Sequence, residues 1–367
     1  MKLQKMAVPL LVLLLVVCCI VLLVLDGKDS GTTTTTTAVT TKEKYNAYSM
    51  DYFDTVTQIT GYTETKEEFD AISKRVLDQL KEYHQLYTIY NSYKDINNLV
   101  TVNRVVDGAH QVVKVDQKII DMLLYAKEMY AVTGGEMNVM MGSVLSIWHD
   151  YRTEGMDEPW NAELPPMDAL LEAAKHTSID SLVIDEEAST VWISDPLAKL
   201  DVGAIAKGYA VEMIARSLEA DGITGFMLNV GGNVRTVGPK ADGIGWLVGI
   251  QNPNQNSDVP YLAYLRIADL AVVTSGSYQR YYMVDGEAYH HIIDKETLMP
   301  AKGFLSVSLI CPTSAMADGL STALFCMSFE DGLALVESID GVEAIWVFEN
   351  ETVKTSSGFA NYTTTLD

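Results

Sequence analysis

"SAMADGLSTALFCMS", residues 314–328, is apolar along most of its length yet carries Asp318, Ser321 and Thr322. Its apolar residues read as a buried helix. Spacings of three and four put the three oxygen-bearing side chains on one face of that helix. A carboxylate and two hydroxyls facing inward need partners, because burying them unpaired is expensive. Two readings supply them. Either a hard cation such as Mg2+ takes the oxygens as ligands, or Asp318 pairs with a lysine and the hydroxyls bond to the backbone.

Working outward, three more polar or Gly-rich stretches interrupt regular patterns. "LDVGAIAKGYA" (200–210) sets Asp201 and Lys207 on either side of a helix start. The N–H groups there, with one lysine, suit a phosphate; equally, Gly203 and Gly208 suit close helix packing. "LNVGGNVRTVG" (228–238) follows a strand but is neither a dinucleotide-binding fingerprint nor a P-loop. Its paired glycines read as a turn, and Arg235 as a phosphate partner or a member of a surface ion pair. "HHIIDKETLMPA" (290–301) holds two histidines, a strand-like Ile-Ile, Asp294 and a turn. It fits a metal site, an acid–base centre or a packed hairpin.

Around these stretches helices and strands alternate. Apolar residues at 69, 72, 76, 80, 83 and 87 have helical spacing, with Thr65 and Glu68 as a capping box. Further helices are expected over 116–133, stopped by Gly134-Gly135, and from about 204 to 222. Strands are expected at 182–185, 190–193, 226–230, 246–251, 261–267, 271–274, 305–310 and 344–348. Hairpin-like pairs mixed with helices predict an α+β fold with mixed or antiparallel sheets and packed helices.

The N-terminus predicts a location. Lys2 and Lys5 precede an uncharged stretch from Met6 to Leu25. An apolar helix of about 20 residues crosses about 30 Å of hydrocarbon. Flanking lysines favour a cytoplasmic N-terminus. Residues 1–26 are therefore expected to be a transmembrane anchor, 27–44 a Thr-rich tether and 45–367 the working domain. Lipidation at Cys18 or Cys19, and cleavage of the segment, are the alternatives. The formal charge of −23 repels nucleic acid and anionic lipid. Beyond the anchor only Cys311 and Cys326 remain, so no disulfide framework is indicated. Six histidines without a His-x-x-x-His pair exclude the common zinc-protease pattern.

Taken in order, "YFDTVTQITGY", "YTIYNSYKDINNLVTVN", "TGGEMNVMMGSVLSIW", "LDVGAIAKGYAVE", "LNVGGNVRTVG", "AVVTSGSY", "HHIIDKETLMPA" and "ADGLSTALFCM" resemble the ApbE family of FAD:protein FMN transferases, from about Tyr52 to Phe348. The resemblance implies an ApbE-like fold and a Mg2+-dependent reaction. FMN passes from FAD to a Thr or Ser hydroxyl of an exported acceptor protein, and AMP leaves. It implies a metal held by Ala204, Asp318 and Thr322 with Ser321 nearby, although some relatives carry a carboxylate where Ser321 stands. It implies FAD contacts at Asp201, Lys207, Glu136, Met137, Asn138 and Ile293, and an aromatic wall at Tyr93. Phe53 stands where many relatives have Met. His291 takes the catalytic position, with an ordinary pKa near 6.5 that lets it accept a hydroxyl proton. His290 is then a supporting residue and Asp294 fixes the turn. "TSGS" (274–277) belongs to the fold or FAD pocket rather than to an acceptor site. The competing readings are an FAD pyrophosphatase, in which water replaces the acceptor, and a tethered flavin-binding protein without turnover.

Overall fold

The computed structural model describes residues 41–365. Its centre is an eight-stranded sheet in which every neighbouring pair is antiparallel. In chain order the strands are β1 (Glu43–Ser49), β2 (Thr57–Thr63), β3 (Phe226–Val230), β4 (Asn233–Val237), β5 (Ala271–Gly276), β6 (Phe304–Cys311), β7 (Glu343–Phe348) and β8 (Val353–Thr355). They also lie side by side in that order. β1 begins slightly before the boundary expected at Tyr45.

Both faces of the sheet are covered, which explains why β3 and β4 are buried along their whole length. Phe226, Leu228, Val273, Val307, Leu309 and Trp346 enter the main core on one face. Their alternating neighbours Met227, Val272, Ile310 and Ile345 enter a second core on the other, as the period-two geometry of a strand requires. The second core is closed by Trp246–Gln251 and Tyr261–Ile267, paired as a hairpin. Gly231 and Gly232, both at positive φ, make the two-residue β3–β4 turn expected of consecutive glycines.

Helices α1 (Lys66–Tyr87), α2 (Gln117–Val132), α3 (Gly142–Asp157), α4 (Ala206–Ala220) and α5 (Ser314–Cys326) complete the frame. In α1 the residues at helical spacing are buried, apart from the half-buried Ile72, and Thr65 Oγ1 accepts from Glu68 N at 3.2 Å. The Glu68 carboxylate returns to Glu64 N at 3.1 Å, one residue earlier than a strict capping box. α3 packs its Val144 and Trp148 with Leu170, Tyr282, Val284 and Leu298 in a third, smaller core. That core braces a hairpin of Tyr281–Val284 and Glu287–His290. The expected α+β architecture is therefore present. No helix among the described residues is long and apolar enough to cross a membrane. The span expected at the N-terminus lies outside them.

Candidate active site

Four groups of residues gather around the starts of α4 and α5 and the end of the hairpin. The first is the contact between the two helices. A Cβ on Gly208 would lie 2.3 Å from both Asp318 Cβ and Ser314 O, so only glycine permits this approach. The Gly208 N–H donates to Asp318 Oδ2 at 2.8 Å. A helix begun two residues earlier would have sent it to Ala204 O, which is left without that donor. Lys207 Nζ lies 3.3 Å from Asp318 Oδ1 and 3.2 Å from Asn233 Oδ1. The close-packing reading of Gly208 therefore holds, and its N–H is taken by the Asp318 carboxylate rather than left for a phosphate. Ser321 is fully buried, its Oγ 2.8 Å from Ser275 Oγ and donating to Asp318 O at 3.0 Å. Thr322 is half-buried, and its hydroxyl has no partner among the described residues. The buried Asn233 Nδ2 also has none.

The second group centres on His291. Its Nδ1 lies 3.2 Å from Arg280 O, and its main-chain N–H donates to the same oxygen at 3.1 Å. A carbonyl can only accept, so Nδ1 carries the proton and Nε2 keeps an open lone pair. Desolvation first, then the Arg280 and Arg152 charges, push its pKa down to about 3. The ring is therefore neutral at pH 7. His290 is fully used: Nε2 donates to Ala301 O at 2.9 Å and Nδ1 accepts from Ile292 N at 3.3 Å. Asp294 Oδ1 accepts from the N–H groups of Glu296 and Thr297, at 2.9 and 2.6 Å. It holds the turn, as its sequence suggested, and does not touch His291.

Around Arg152, whose charge acts on His291, lie Asp201, His149 and Tyr90. Asp201 Oδ1 accepts from Gly203 N at 2.8 Å. Desolvation holds its carboxyl above the usual range, opposed by that N–H and by His149 and Arg152. Arg152 Nη2 lies 3.2 Å from His149 Nδ1, and the His149 ring lies 5.0 Å from that of Tyr90. The Tyr90 hydroxyl lies in the field of Asp201, Arg152 and Arg280.

The third and fourth groups hold the remaining expected residues. Glu136 pairs with Lys295 at 3.0 Å, joining the loop after α2 to the turn after His291. Met137 is buried, with its N–H on Thr133 Oγ1 at 3.1 Å. Asn138 is occupied by Met140 N at 2.9 Å and Thr177 O at 2.9 Å. Ile293 bridges to Pro300, and its carbonyl accepts the Cys326 thiol at 3.9 Å. Phe53 and Tyr93 both lie edge-on to His84, at 5.5 and 6.5 Å. Phe53 and Asp54 take left-handed φ values of 56° and 50°, a strained turn for such residues. His84 Nδ1 pins it by accepting Phe53 N–H at 3.1 Å.

Arg235 is neither a phosphate partner nor a surface residue. It is buried, donating to Glu212 Oε2 at 3.0 Å and Glu219 Oε1 at 2.8 Å. Sequence reasoning also passed over Tyr90, His149, Arg152 and Arg280. Tyr90 lies three residues from Tyr93 in the same quoted stretch, and Arg280 directly follows "AVVTSGSY" and one glutamine. Spacing alone did not separate them from surface residues.

An imidazole with one open nitrogen, a desolvated carboxyl and guanidiniums, carried on the loops and helix beside the sheet, equip the chain to move protons and bind anions, and make it in class an α+β enzyme. Residues 53–346 match the ApbE family. The chain belongs to that family. It is 31% identical over 293 residues to the FAD:protein FMN transferase of Treponema pallidum, covering 76% of this chain and 78% of that one. It is 29% identical over 289 residues to that of Klebsiella pneumoniae, covering 78% and 85%. Among solved structures, the ApbE protein of Thermotoga maritima superposes with a TM-score of 0.76 at 26% identity, covering 88% of this chain and 100% of that one. The flavin transferase ApbE of Vibrio cholerae shares the fold, with a TM-score of 0.72 at 23% identity over 88% and 99% of the two chains.

Proposed function

We propose that this chain transfers the FMN half of FAD to a Thr or Ser hydroxyl of an acceptor protein and releases AMP. The relatives named FAD:protein FMN transferase support the activity. The observation that carries it here is the open Nε2 of His291, neutral and flanked by cationic side chains. The acceptor oxygen bonds to the flavin-side phosphorus as the pyrophosphate P–O bond breaks. The bond's electron pair leaves with AMP, and the hydroxyl proton passes to His291 Nε2. Arg280, through its carbonyl, fixes the ring's tautomer and its aim.

Mg2+ would neutralise charge on the pyrophosphate. The residues fit it: the Asp318 carboxylate, the Ala204 carbonyl freed of its helical donor, and the unpartnered Thr322 hydroxyl. One carboxylate, with substrate phosphates completing the shell, is an ordinary set for this cation. Ser321, tied to Ser275 and to the Asp318 main chain, steadies the helix that presents these ligands. Were Mg2+ to take Asp318, Lys207, now 3.3 Å from that carboxylate, would be available to a phosphate. Asp201, Glu136, Met137, Asn138 and Ile293 shape the FAD site. Tyr90, rather than Tyr93, is the aromatic wall beside Asp201, while Tyr93 and Phe53 brace the strained turn through His84.

Residues 1–26 anchor the protein in a membrane, the Thr-rich segment tethers it, and the catalytic domain works outside on an exported acceptor. The uncharged run after Lys2 and Lys5 supports this topology. Incubating the full-length protein with FAD, Mg2+ and candidate acceptors should give an acceptor band that fluoresces on a denaturing gel, with AMP in equal amount. Rapid AMP release that needs no acceptor and does not rise with one makes the chain a pyrophosphatase instead.

A further inference from the structure

Arg152 and Arg280, like Arg104 and Arg266, have no ion-pair partner within 4.0 Å among the described residues, whereas Arg75, Arg216 and Arg235 each hold a carboxylate; of the four only Arg152 and Arg280 act on His291. The contrast matters in a chain with 49 acidic residues against 26 lysines and arginines. Arg280 reaches only a carbonyl, Asp54 O at 3.4 Å, and Arg152 only His149 Nδ1 at 3.2 Å. Arg152 is also half-buried, and it gives up water with no carboxylate in direct contact, Asp201 acting on it only from a distance. The two side chains repel one another and both act on His291. Their roots are fixed: Arg280 by the two hydrogen bonds its carbonyl accepts from His291, Arg152 by α3, whose Trp148 is locked in the third core.

We infer that Arg152 and Arg280 form a two-guanidinium seat for a phosphate oxyanion beside the open nitrogen of His291. On the flavin-transfer reading above, on which this rests, the occupant is the pyrophosphate of FAD. The guanidinium fork matches phosphate oxygens with paired donors. It would hold the phosphorus under attack on the side of the acceptor base, while the Asp318 group holds the metal end. The seat thus positions the substrate, and neither arginine exchanges a proton with it.

The test compares Arg152→Gln, Arg280→Gln and Arg152→Lys in the full-length protein, with thermal unfolding to confirm folding. Binding is followed for FAD, for riboflavin, which lacks phosphate, and for inorganic pyrophosphate by calorimetry. Each glutamine variant should weaken FAD and pyrophosphate by about tenfold or more and leave riboflavin unchanged. Arg152→Lys should recover part of the loss. Unchanged FAD and pyrophosphate affinity overturns the seat, and so does an equal loss for riboflavin, which marks a structural role. If the wild type binds pyrophosphate through these arginines but neither binds FAD nor transfers FMN, the seat stands and the flavin reading falls. If pyrophosphate does not bind the wild type, the seat is wrong whatever the flavin result.

Discussion

The main-chain N–H of Gly208 donates to the carboxylate of Asp318 across the contact of two helices, at 2.8 Å. One residue thereby sets both the spacing of α4 and α5 and the orientation of the proposed metal ligand. A methyl group at this point has nowhere to go, since Asp318 Cβ and Ser314 O would both lie 2.3 Å away.

Gly208→Ala should therefore destabilise the protein by about 1–3 kcal/mol, the usual cost of overpacking. Mg2+-dependent AMP release should fall with it, because the carboxylate is pushed off its donor. Thermal unfolding and turnover together check this. A variant with normal stability and normal turnover would show that the helices part freely.

Asp318→Asn keeps the size of the side chain but removes its charge. Mg2+-dependent AMP release should be nearly abolished, since this is the only carboxylate of the proposed donor set. Titrating Mg2+ should give partial recovery at high concentration if a neutral oxygen still binds weakly. Wild-type turnover at ordinary Mg2+ would remove Asp318 from the site.

His291→Ala should lower transfer by a factor on the order of 10² to 10⁴, the range for a general acid–base group, with little effect on FAD affinity. A rate that falls only because FAD no longer binds would reassign the ring to the pocket wall.

The same histidine sets a pH dependence. Its folded pKa of about 3 lies below the ordinary 6.5, so the unfolded chain takes up the proton first as pH falls. The stability that His291 supports is thus fully present above about pH 6.5 and is lost as pH drops towards 3. His291→Asn should flatten that limb of a melting-temperature profile. For kcat/KM, which reports the free enzyme, His291 should contribute no inflection near pH 6.5.

Tyr90→Ala should weaken FAD binding by a few-fold to about tenfold, the worth of one aromatic stacking contact. Tyr93→Ala should act mainly on stability, through His84 and the 53–54 turn. Flavin fluorescence quenching, measured beside unfolding, separates the two. Equal loss of FAD affinity in both would return the wall to Tyr93.

The sequence made some of this legible and hid the rest for physical reasons. α1 and α5 announce themselves because burial on a regular spacing leaves a periodic trace, and Asp318 stands out as a charge inside an apolar run. β2 leaves no such trace, being buried on both faces and rich in threonine. α3 is clasped between Leu170 and the hairpin, and its mixed polarity hid both its helical form and Arg152. Tyr90 and Tyr93 are two tyrosines in one irregular stretch, and which ring stands near Asp201 and which near His84 depends on where the backbone turns. The pairing of Arg235 with Glu212 joins residues 23 positions apart and became visible only when α4 lay against β4.

That buried pair also bears on how the family can diverge. Glu212 receives Arg235, Arg216 and the main-chain N–H of Ser314 at the start of α5. Losing either member leaves the other only its more exposed partner, Glu219 for Arg235 and Arg216 for Glu212, and removes a buried charge-assisted hydrogen bond, at about 1.5–3 kcal/mol. That is a large share of a domain's total stability. A lineage that abandons the arrangement must therefore change both positions nearly at once, or first acquire a compensating stabilisation elsewhere. Descendants should show Glu212 and Arg235 inherited as a unit, and an intermediate carrying only one of them should be rare.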